Sequence, residues 1–208
     1  MPRPVGRLPL VPDRGPRGPA VRPSPVRDGE AVIPNIARLD GQSACIVSIL
    51  KLGSASTVDI IDGIRARTGS DFNLSVRLSP ERFGLRTAEI VEVYTRLVDE
   101  AKVDFIDMSL WDVTKYGVED DFKEKRLIDV LAGIPRGDVK LTVAGKLYSA
   151  ADCRFAVDHG ADFVAVGRGA ILHHDFPRLC SADENFAVRP LPVTRATLHE
   201  EGLSDTFI

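Results

Sequence analysis

The sequence predicts an α/β fold of consecutive βα units with parallel strands, on three observations. Short apolar or alternating runs begin near residues 72, 103, 139 and 162, in steps of 31, 36 and 23 residues, and one strand with its returning helix takes about 30 residues. The stretches between them carry apolar residues at helical spacing. The first of the strands alternates polar and apolar side chains, whereas strands of a doubly wound sheet are covered by helices on both faces and read as continuous apolar runs. An alternating parallel strand suits a barrel interior, so the prediction is a partial TIM (β/α) barrel preceded by a disordered Pro/Arg-rich segment.

That segment is residues 1–56. Nine of the 14 prolines fall within the first 34 residues, beside six arginines and three acids. Proline fixes φ and lacks a backbone donor, and no apolar period runs through this stretch. Regular patterning begins at residue 57, which sets the second domain as 57–208.

The elements of that domain follow in order. "TVDIIDGIRARTG" places Val58, Ile61 and Ile64 at helical spacing and ends on Gly69, a suitable C-terminal cap. "FNLSVRLS" alternates, with Phe72, Leu74, Val76 and Leu78 on one face and Asn73, Ser75, Arg77 and Ser79 on the other. "TAEIVEVYTRLVDEAK" carries an apolar stripe through Ile90, Val93, Tyr94, Leu97 and Val98, with Thr87 as its expected N-cap. "VDFIDMSL" and "VKLTVAG" are the second and third strands. "SAADCRFAVDHG" opens with a capping-box-like Ser149 to Asp152 spacing and closes at Gly160, and "DFVAVG" is the fourth strand.

Composition narrows the partners. A formal net charge of -3 gives no global basic field for nucleic acid, and the N-terminal arginines lack interleaved aromatics. Prolines at 4, 9 and 12 interrupt any secretory apolar region, and no run reaches membrane-spanning length. Cys45, Cys153 and Cys180 are odd in number and far apart, which points away from a disulfide framework and towards a reducing cytoplasm. The adjacent His173 and His174 point in different directions with no further ligand cluster, so no metal site is expected.

The candidate site lies where strands end. "VAGK" (143–146) and "VGRG" (166–169) close the last two strands, and in a TIM barrel the loops after the seventh and eighth strands frequently bind phosphate. Glycine lets a phosphate oxygen approach the backbone, a following helix start adds positive partial charge, and Arg168 brings a two-pronged donor. The alternative is that these glycines serve only tight turns and Arg168 is a solvated charge. Arg77 likewise admits two readings, a cation aimed at a ligand or an interior ion pair with Asp107 of the next strand. Trp111, just past the second strand, either lines a pocket or anchors a loop.

"IDGIRARTGSDFNLSVRLSP", "VDFIDMSLWD", "VKLTVAGK" and "GADFVAVGRGAILHHDFP" together resemble the C-terminal half of the Old Yellow Enzyme family, the NADH:flavin oxidoreductases with an FMN-holding TIM barrel. The resemblance covers about 57–208 and makes these the barrel's last four βα units. It implies that Arg77 contacts the pyrimidine edge of the flavin, and that Ala144, Gly145, Val166, Gly167 and Arg168 form the cradle for the FMN phosphate. It further implies NAD(P)H as reductant and an electron-poor alkene as substrate. The family's substrate-holding histidine pair and tyrosine proton donor have no counterpart: His159, His173, His174 and His199 all lie downstream, and no catalytic residue is assigned. Before residue 57 the family's Y-G-G-S and E-N-R motifs are missing, which implies a truncated or frameshifted gene with impaired catalysis. Two other functions stay open: a flavin-free phosphate-binding barrel isomerase or aldolase, and a non-catalytic fragment or interaction module. Four strands leave two open sheet edges, from which self-association is expected.

Overall fold

The computed structural model describes residues 37–39, 42–44, 57–68, 72–82, 84–100, 102–206 and 208. The chain divides into two compact units, Met1–Leu50 and Lys51–Ile208. In the first, β1 (Ala37–Leu39) pairs antiparallel with β2 (Gln42–Ala44), in register Arg38 to Ser43. This short hairpin lies inside the segment expected to lack structure; the rest of that expectation falls outside the described residues.

The second unit runs α1 (Thr57–Arg65), β3 (Ser75–Leu78), α2 (Thr87–Asp99), β4 (Phe105–Ser109), α3 (Leu127–Ala132), β5 (Lys140–Ala144), α4 (Ala150–Asp158) and β6 (Phe163–Val164), followed by α5 (Arg168–Leu172), α6 (Phe176–Ala182) and α7 (Arg195–Glu200). The four strands form one sheet in the order β3-β4-β5-β6, and every pairing is parallel. Sequential parallel strands joined through helices are the arrangement the spacing predicted.

Alternation divides the sheet into two unlike faces. Ile106, Met108, Leu141 and Val143 are fully buried and share a core with Val58 and Ile61 of α1, Ile90, Tyr94 and Leu97 of α2, and Leu127, Ile128 and Leu131 of α3. On the opposite face the register aligns Arg77, Asp107, Thr142 and Phe163 in one row across all four strands. In that row Phe163 is exposed; its ring meets Phe105 edge-on at 5.3 Å. A parallel sheet with its apolar core on one face and a polar, partly open row on the other is compatible with an arc of a (β/α) barrel.

Three local expectations need correction. Phe72 is exposed, because β3 begins only at Ser75. Thr87 is the first helical residue of α2, and Arg86 is the cap; the Thr87 hydroxyl is drawn to Glu81 instead, donating to its carboxylate at 3.0 Å. β6 holds two residues, its pairing with β5 ending at Val164. The Ser149 cap forms as expected, its hydroxyl accepting from the Asp152 amide at 3.0 Å while Asp152 accepts in return from the Tyr148 amide at 2.9 Å. Gly69 lies outside the described residues.

Candidate functional site

At the C-terminal ends of the strands a cleft of about 220 Å³ opens between the exits of β3, β4, β5 and β6. Its lining includes Arg77, Ala144, Gly145, Val166, Gly167 and Arg168, the six residues singled out from the sequence. It also includes Ser109, Trp111, Lys146, Leu147, Tyr148 and Ala165.

The glycines do different work. A methyl group at Gly145 would stand 2.7 Å from the Asp112 nitrogen and 2.9 Å from the Trp111 carbonyl carbon, so this glycine exists to let two backbones pass. The loops are sewn together there: the Leu110 amide donates to the Ala144 carbonyl at 2.8 Å, the Val113 amide to the Gly145 carbonyl at 3.2 Å, and Lys146 Nζ pairs with Asp112 Oδ2 at 3.0 Å. Gly169 is equally crowded, with Leu147 O at 2.8 Å and Phe176 Cε2 at 3.0 Å. At Gly167 an added methyl would meet nothing within 4 Å. Of the two glycines on the cleft lining, Gly167 alone has open space where a side chain would begin.

Cations flank that opening. Arg168 begins α5, and its guanidinium lies 5.4 Å from the centre of the Tyr148 ring. Because α5 is only five residues long, its dipole adds little, and the positive charge at this end resides in Arg168 and Lys146. Lys146 was missed from the sequence although it follows directly on "VAG"; nothing in a linear reading shows that the chain turns there with φ 50° and delivers the side chain to the cleft.

Arg77 forms the ion pair with Asp107 and also faces the cleft. Its Nη1 lies 3.4 Å from Asp107 Oδ2, yet its side chain remains 56 % exposed and lines the cleft. Asp107 is mostly buried, and its other carboxylate oxygen finds no hydrogen-bond partner among the described residues. Burial pushes the Asp107 carboxyl above its usual range, and the neighbouring Arg77 charge only partly counters this.

Beside the cleft, Glu81 organises the loop after β3. Its carboxylate is buried and accepts from Lys115, from the Val118 amide at 2.6 Å and from Thr87. Burial works to raise its pKa, but these donors outweigh it and hold the group below its ordinary value. Glu81 (φ 58°), Trp111 (φ 67°) and Lys146 (φ 50°) are the non-glycine residues with left-handed backbone among the described residues; Trp111 and Lys146 line the cleft, and Glu81 lies in the loop whose Arg82 meets the Trp111 ring. Such conformations are held only where surrounding contacts enforce them.

None of the four histidines reaches the cleft. His159 pairs with Asp129, His174 with Glu201, and His199 with Asp205, while His173 accepts from the Arg189 amide at 3.1 Å. No helix among the described residues is long and apolar enough to cross a membrane.

The chain matches no family model and no curated protein.

Proposed function

We propose that the cleft binds the phosphate end of FMN, and that the chain is the flavin-binding portion of an ene-reductase-like oxidoreductase of the Old Yellow Enzyme type, its sheet an arc of a TIM barrel. The observation that carries this is the convergence of Arg77, Ala144, Gly145, Val166, Gly167 and Arg168, drawn from three separate strand ends, on one cleft. The residues fit the group. Gly167 presents open backbone, Arg168 and Lys146 supply charge for a phosphate, and Arg77 stands on the strand next to β4, where a cation would favour an anionic, reduced ring.

Bound FMN would supply the hydride chemistry, taking electrons from NAD(P)H and passing them to an electron-poor alkene. The chain's own groups would anchor and orient it. Polarising a substrate carbonyl needs a pair of donors, and the histidines are all committed elsewhere. The reading is therefore flavin binding with little or no enone turnover by this chain. Sugar-phosphate isomerase or aldolase chemistry without flavin is the competing reading, and ligand preference separates them.

The test is Arg168→Ala against two ligands. FMN affinity should fall by about tenfold or more, the strength of a charge-assisted phosphate contact, while the affinity for riboflavin, which lacks phosphate, should hold. Equal losses for both ligands would remove the phosphate role. Tight binding of a sugar phosphate with none of FMN would favour the flavin-free enzyme.

A further inference from the structure

We propose that Trp111 is a stacking platform for a planar, electron-poor ring carried by the phosphate ligand, a subsite that the glycine and arginine motifs do not reveal. The inference rests on the phosphate reading above and adds a place for the ring of such a ligand, a phosphate monoester bearing an extended aromatic ring.

Three observations lead to it. First, the indole is 57 % exposed although it sits on the cleft wall; a tryptophan used as a packing anchor would be covered. Second, the ring is backed. The Arg82 guanidinium lies 4.1 Å from the ring centre, and Arg82 is itself positioned by its neighbour Glu81, whose buried carboxylate is held by Lys115, Val118 and Thr87. A ring supported in this way loses little freedom when a ligand stacks on it. Third, the backbone beneath it is fixed. Trp111 stands at φ 67°, pressed against Gly145, with hydrogen bonds from Leu110 and Val113 and the Lys146–Asp112 ion pair on either side.

Size points the same way. Sites that enclose a whole drug-sized ligand run to roughly 300–1,000 Å³, and this cleft measures about 220 Å³. A ligand bulkier than that volume would extend beyond the enclosed space, towards the exposed wall. The exposed aromatic surface on that wall is Trp111. Stacking on an aromatic side chain contributes roughly 1–3 kcal/mol per ring, which is a factor of about 5 to 150 in affinity.

The experiment compares Trp111→Ala, Trp111→Phe and Arg82→Gln with the parent chain, using FMN, riboflavin and inorganic phosphate in equilibrium dialysis. Trp111→Ala should weaken both FMN and riboflavin about tenfold and leave phosphate unchanged, whereas Arg168→Ala should weaken FMN and phosphate and spare riboflavin. Trp111→Phe should recover part of the loss. Arg82→Gln leaves the 110–114 backbone alone and should weaken FMN about two- to threefold; it keeps the test decisive if the alanine variant misfolds. The flavin's visible band should shift on binding to the parent and lose that shift in Trp111→Ala. FMN binding that depends on Arg168 but is unchanged in Trp111→Ala and Arg82→Gln would overturn the platform and leave the phosphate reading standing. Failure of the parent to bind either FMN or phosphate would overturn both.

Discussion

Gly145 and Gly167 sit one strand apart on the same cleft, and alanine at each should act in opposite ways. At Gly145 the new methyl would lie 2.7 Å from Asp112 N, 2.9 Å from Trp111 C and 3.0 Å from Asp112 Cα. All three are backbone atoms, so no side chain can swing aside. Ordinary contact begins near 3.4 Å, so residues 111–112 must retreat by about 0.7 Å against two backbone hydrogen bonds and the Lys146–Asp112 pair. Overpacking of this kind costs about 1–3 kcal/mol. For a chain of this size that lowers the thermal midpoint by roughly 2–12 °C. At Gly167 the methyl meets nothing within 4 Å beyond its chain neighbours, so stability should fall less than in Gly145→Ala, while the space through which a phosphate would reach the backbone is lost. Far-UV circular dichroism melts give the first quantity and FMN dialysis the second. A Gly145→Ala protein as stable as the parent, or a Gly167→Ala protein that melts early and binds normally, would refute the assignment of packing to one glycine and ligand access to the other.

Two further predictions concern acidity. Because burial raises the Asp107 pKa in the fold, its favourable contribution is complete below the ordinary carboxylate range and is lost as pH rises through the folded value. Asp107→Asn should therefore raise the thermal midpoint at pH 7 and change it little at pH 3; the same gain at both pH values would argue against a penalised charge. Glu201 shows the reverse sign: the amide and ring of His174, together with Arg189, hold its carboxyl down to about 2 from 4.5. Its contribution is present above pH 4.5 and is lost as pH falls through 2. Solvent screening of its partners, 31 % and 67 % exposed, reduces that contribution to on the order of 1–2 kcal/mol. Glu201→Gln should lower the melting temperature at pH 7, by a difference that shrinks as both proteins are acidified, read in parallel melts.

How far the linear sequence reached depended on whether the deciding contact was local. β3, β4 and β5 began within three residues of their expected starts, because alternation against a buried face is written along the strand itself. The Arg77–Asp107 pair was legible for the same reason: parallel strands in simple succession put matching positions side by side. The Thr87 cap failed because its hydroxyl is claimed by Glu81, six residues back, on a loop that also reaches Lys115 and Val118. The close packing at Gly145 was not legible, since only the folded loop shows Trp111 and Asp112 pressed against it. Lys146 and Trp111 gave no signal of a left-handed turn, since neither is a residue type that favours one.

That left-handed lysine sets fold and binding in competition at a single position. A residue with a Cβ held at φ 50° carries a conformational penalty of about 1–2 kcal/mol that glycine would escape. Glycine there would relax the turn and remove both the cation facing the cleft and the tether to Asp112. Selection for thermal tolerance alone would thus drift towards glycine at 146 and lose the cleft's cation on the way, whereas selection for the proposed ligand would retain the strained lysine.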